Sequence, residues 1–141
     1  MPYTPNGVVS HTFPIDDFVF TYLISGTVVA ADVGKAVALD TAAANTVKLA
    51  GADDVIFGRL ETFEDRVQEG VKVGAVARKF KTKLPVQAAL AGFNVPAVGD
   101  TVVGAGAGEV KASNNGTAKT PDQTNNTVIE VLTGFVVVEK L

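Results

Sequence analysis

Three segments of the chain repeat one arrangement, a glycine followed three residues later by a valine inside a strand-forming run. They are Val33-Gly34-Lys35-Ala36-Val37, Glu69-Gly70-Val71-Lys72-Val73 and Val98-Gly99-Asp100-Thr101-Val102. Glycine supplies the positive φ of a tight turn at little steric cost, so each glycine reads as the turn that launches a strand. The unequal spacing excludes a solenoid or propeller period. The pattern predicts a mainly β fold, a small β-barrel or sandwich of short strands with at most one or two short helices.

Local patterns fill in the elements. Phe18–Ile24 is aromatic and β-branched and is closed by Gly26, which predicts a strand. Thr27–Ala30, Ala36–Leu39, Thr46–Leu49 and parts of Val55–Phe63 read as further strands. Glu61–Arg66 fits a helical turn equally well. Val71, Val73, Ala75 and Ala77 alternate with Lys72, Gly74, Val76 and Arg78. Phe80, Thr82 and Leu84 then share one face of a strand while Lys79, Lys81 and Lys83 share the other, which predicts a basic stripe. Ala88–Gly92 allows one helical turn. Thr101–Val103 and Glu109–Ala112 bracket Gly104-Ala105-Gly106-Ala107-Gly108 as a hairpin. Residues 113–126 form a polar loop, and Val128–Leu141 forms a valine-dense strand or pair with Gly134 as a bend or bulge.

Residues 1–17 differ. Pro2, Pro5 and Pro14 remove backbone donors and resist both helix and central strand, yet Val8, Val9, Phe13 and Ile15 are apolar. The segment reads as an extended amino-terminal arm on a single β domain of residues 18–141. Such an arm finds its burial either on its own domain or on another chain. A chain of 141 residues, 47% apolar and 19% charged, is long enough for a real core and too apolar to be wholly disordered.

The reactive inventory is thin. There is no Cys and one His, which removes disulfides, thiolate zinc sites and cysteine nucleophiles. His11 with Ser10 and Asp16 or Asp17 is the one conceivable catalytic cluster. The serines at 10, 25 and 113 sit in no nucleophile elbow. Asp16-Asp17, Asp53-Asp54 and Glu64-Asp65 are adjacent pairs, and neighbours on a strand face opposite ways, so none makes a two-carboxylate site alone. They read as turn caps. The 104–108 glycines lack the spacing and following helix of a phosphate cradle. Asn115-Gly116-Thr117 and Asn125-Asn126-Thr127 match glycosylation sequons but read as loop chemistry. No catalytic residue, metal site or cofactor is expected. A net charge of −3 argues against a direct nucleic-acid partner. Polar residues interrupt the apolar stretch Phe18–Ala31, which is too short to span a bilayer, and the first residues carry no basic signal region.

The succession Gly34-Lys35-Ala36-Val37-Ala38-Leu39, Asn45-Thr46-Val47-Lys48-Leu49-Ala50 and Val55-Ile56-Phe57-Gly58-Arg59-Leu60, with Gly99-Asp100-Thr101-Val102-Val103 and a valine-rich terminus, resembles the small head decoration (cement) proteins of tailed bacteriophages. The resemblance covers most of residues 27–141 and lies in pattern and composition. It implies a non-enzymatic β domain on the outer surface of the capsid of a virion assembled in the bacterial cytoplasm. It implies a homotrimer that stabilises joints between copies of the major capsid protein. On that reading Val8, Val9, Phe13 and Ile15 are arm contacts, and Lys79, Lys81 and Lys83 form a secondary docking stripe. The alternatives from the residues themselves are another virion structural part, such as a tail-tube or head-completion protein, and a small β-barrel ligand-binding module.

Overall fold

The computed structural model describes residues 19–120 and 126–141. The arm, with Val8, Val9, Phe13 and Ile15, lies outside the described residues, as does the Ser10/His11/Asp16/Asp17 cluster. The described chain is mainly β and contains a closed five-strand barrel. Its strands are β1 (Val19–Ile24), β2 (Ala36–Leu39), β3 (Thr46–Leu49), β4 (Gly58–Leu60), β5 (Glu64–Arg66), β6 (Val71–Ala77), β7 (Phe80–Pro85), β8 (Val102–Gly106), β9 (Glu109–Ala112), β10 (Asn126–Leu132) and β11 (Phe135–Lys140). The three recurrent glycines all take positive φ, at 96° for Gly34, 72° for Gly70 and 93° for Gly99, the backbone a turn into a strand demands of them.

The barrel runs β1-β3-β2-β4-β6 and closes through β6 onto β1. Leu23 pairs with Thr46 in a parallel β1–β3 contact, while Val19 to Leu23 run antiparallel to Ala77 to Val73. β5 continues the sheet along the first half of β6, with Glu64 opposite Val73. Ile24, Val28, Val37, Val47, Leu60 and Val76 fill the interior, with Tyr22, Leu49, Phe57 and Phe63 packed around them. A barrel of this size is filled by side chains. Lys72 shares the inward parity of Gly74 and Val76. Its ammonium reaches the carbonyls of Gly26 at 2.8 Å and Val28 at 2.9 Å.

A second layer, the sheet β10-β11-β7 and the β8–β9 hairpin, packs on the outside of the barrel. Ala36, Ala38, Ala50 and Ala77 turn outward and join Ile56, Phe80, Leu84, Val102, Val110, Val128, Val136 and Val138 in a second core. Small side chains on the barrel wall let the second layer approach closely, so β2 is buried on both faces. Asn126, 1% exposed, ties the layer together: its side chain accepts from the Val102 N–H at 2.8 Å and donates to the Val102 carbonyl at 3.1 Å.

Several expectations are corrected. Thr27–Ala30 is not a strand. The buried Asp32 carboxylate accepts from the Val29 N–H at 2.9 Å and draws the chain into a 3-10 turn at Ala30–Asp32. Of Val55–Phe63 only Gly58–Leu60 is paired. Glu61–Arg66 does not form a helical turn, since its end is β5, and the 3-10 turn follows at Val67–Glu69. The turn expected at Ala88–Gly92 sits at Gly92–Asn94. Gly134 (φ 76°) is the turn between β10 and β11, and the irregularity in their pairing falls between Val128 and Glu130.

Candidate interaction surface

The basic stripe forms in part on a strand face: β7 buries Phe80 and Leu84 and exposes Lys81 and Lys83, while Lys79 is exposed in the β6–β7 bend just before the strand. Among the described residues β7 is the last strand of its sheet, and it ends in Pro85, which has no N–H to offer a ladder. Lys81 stands opposite Glu139 and Lys83 opposite Val137 in the β7–β11 register. Glu130 stands opposite Val137 on the other side. The outer face of this sheet therefore alternates lysines with Glu139 and Glu130 and carries Phe135 at one end. The Lys83 ammonium lies 4.6 Å from the centroid of the Phe135 ring, a cation–π contact. Among the described residues neither Lys81 nor Lys83 has an acidic partner within 4.0 Å. Among the described residues the charges of Lys81 and Lys83 are thus moderated by their neighbours rather than by ion pairs.

The base of the stripe is structural. Lys140 is 8% exposed and donates to the Arg78 carbonyl at 3.0 Å. Burial, reinforced by the charges of Arg78 and Lys79, pushes its ammonium below the ordinary lysine value. The Arg78 guanidinium lies 3.7 Å from the centroid of the Phe57 ring and donates to the Phe57 carbonyl, fastening the β6–β7 turn to the barrel.

A feature with no counterpart in the sequence pattern lies at the far end of β7. Leu90, Val95, Pro96, Val131, Leu132 and Phe135 are among the uncharged residues that line a groove of about 370 Å³. Val131 and Leu132 are 49% and 42% exposed. The alternation along β10 gives no warning, because the register shift after Val128 turns apolar residues outward.

The remaining motifs resolve into local structure. Asp54 accepts from the Gly51 N–H at 2.8 Å, and Asp53 pairs with Lys111 at 2.8 Å, so this acidic pair caps a turn. Glu64 pairs with Arg66 on the exposed edge strand β5. Gly104, Ala105 and Gly106 belong to β8, and the hairpin turn into β9 is only Ala107-Gly108, with no helix after it. The Asn115 carboxamide accepts from the N–H groups of Thr117 and Ala118, an Asx-type turn. Among the described residues no three His, Cys, Asp or Glu side chains gather as a metal site, and no helix is long and apolar enough to cross a membrane. No protein-family model, curated protein or solved structure matches the chain.

Proposed function

We propose that the protein is a capsid decoration protein of a tailed bacteriophage, acting by adhesion from the outside of the icosahedral head. The observation that supports this reading best is the outer face of β7–β11–β10, an exposed lysine-bearing sheet on a body packed around two cores. Such a body presents a stiff, pre-shaped surface, and repetition over a symmetric shell multiplies weak contacts into firm attachment. The barrel interior is filled by side chains, which favours work by surface and edge over enclosure of a ligand. The partner is the major capsid protein, met by Val8, Val9, Phe13 and Ile15 of the arm and secondarily by Lys79, Lys81 and Lys83, and the adhering unit is a homotrimer.

Co-sedimentation of the purified protein with DNA-emptied phage heads tests this, with the solution mass measured in parallel. A trimer that sediments with heads and raises the temperature at which they open supports the proposal. A hexameric ring indifferent to heads points instead to a tail-tube protein.

A further inference from the structure

Among the described residues the buried polar side chains are Asp32, Thr46, Ser113, Asn126 and Lys140. Four of them are satisfied within the fold. Asp32 accepts from the Val29 N–H and from Lys35. The Thr46 hydroxyl donates to the Ala44 carbonyl at 2.9 Å. Asn126 is bonded both ways to Val102, and Lys140 donates to the Arg78 carbonyl. The Ser113 hydroxyl is the exception. Its residue is 7% exposed, and its Oγ has no partner among the described residues. Its backbone is held on both sides, the N–H by the Thr101 carbonyl at 2.9 Å and the carbonyl by the Thr120 N–H at 3.0 Å. A buried hydroxyl left without a protein partner is met from outside the chain, by water or by a ligand.

Ser113 borders a cleft of about 230 Å³ together with Gly99, Asp100, Thr101, Lys119 and Thr120. The cleft lies outside the barrel, between the turn into β8 and the loop after β9. Apart from Gly99, every residue on this lining carries a hydroxyl or a charge. The Lys119 ammonium lies 2.6 Å from Asp100 Oδ2, which also accepts from the Ala97 N–H at 2.8 Å. The two charges cancel. An anion entering the cleft meets Asp100, and a cation meets Lys119. The three hydroxyl residues can each donate and accept. This combination selects a neutral ligand whose own groups both donate and accept, and hydroxyls do so. The volume is below the roughly 300–1,000 Å³ of drug-sized sites, so the ligand is small.

We propose that this cleft binds a small neutral polyhydroxy compound, a monosaccharide or polyol, with one ligand hydroxyl bonded to Ser113 Oγ and others to the Asp100–Lys119 pair. Ser113 is the buried anchor, and the ion pair sets the preference for an uncharged ligand. The assignment is independent of the capsid reading, since it concerns the isolated protein.

Amide chemical shifts of the isotope-labelled full chain test it, followed as glucose, galactose, mannose or glycerol is added to about 100 mM, enough to saturate a site of millimolar affinity. At least one of the four moves the amides of Gly99, Thr101, Ser113 and Thr120 saturably and leaves those of β2 and β3 in place. Inorganic phosphate at the same concentration moves none of them. Ser113→Ala weakens the binding about threefold to tenfold, the worth of one hydrogen bond, and its urea midpoint equals or exceeds that of the wild type because no internal bond is lost. Saturable shifts at these amides with phosphate make the cleft an oxyanion site and overturn the proposal. So does a lack of response to all four polyhydroxy probes, which leaves water as the partner of Ser113. Unchanged affinity in Ser113→Ala, or a lowered urea midpoint, overturns it as well.

Discussion

Gly104 occupies a point where the hairpin and the barrel wall nearly touch. A Cβ there would meet the Gly51 carbonyl oxygen and the Ala50 methyl, both held by backbone. Gly104→Ala is expected to cost about 1–3 kcal/mol, the range for overpacking a filled core, read as a lower urea midpoint with unchanged slope. Asp32 is a second sensitive residue. Burial alone would raise its carboxyl, but the Val29 N–H and the Lys35 ammonium outweigh it and hold the group below the ordinary carboxylate value. A depressed folded-state value means that its stabilisation is complete above about pH 4, the unfolded value, and is lost as the pH falls through the lower folded value. Asp32→Asn should therefore lower stability at neutral pH and flatten its decline in acid, as followed by thermal melts from pH 7 to pH 2. A melt series parallel to the wild type at every pH would contradict this.

At the scale of elements, the strands that carry their own punctuation are legible in the sequence. β2 and β3 fall where the Val/Ala and Thr/Val runs predict, and the lysine parity of β7 is as expected. These segments combine β-branched residues with flanking turns, and both signals are local. Thr27–Ala30 has strand propensity and forms no strand, because a side-chain acceptor two residues past it competes for the backbone, a contest that propensity cannot register. Barrel closure is not legible either, since the β1–β3 and β1–β6 pairings join distant segments and register is decided by packing. The alanines of the outer wall do carry a signal: small residues on otherwise valine-rich strands mark a wall against which another layer lies. Ala36→Leu, at a site with no exposure, should push the second layer off the barrel, with a loss of about 1–3 kcal/mol or more in chemical denaturation. An exposed substitution such as Thr127→Leu should change stability by no more than about 0.5 kcal/mol.

At the scale of the molecule, two filled cores share one wall of strands, and the surface is left to do the work. Exposed apolar residues gather beside the β10–β11 turn and lysines along β7, so one sheet carries both. On the proposed reading the arm and this sheet act together, and removing residues 1–15 should leave the melting temperature of the body within a few degrees while abolishing head binding. The most direct measurement is cryo-electron microscopy of virions that carry the chain. The account predicts density for this β body as a regular layer outside the major shell, repeated at symmetry-related joints. Density confined to the tail, or a shell surface bare of it in particles that contain the chain, would contradict it.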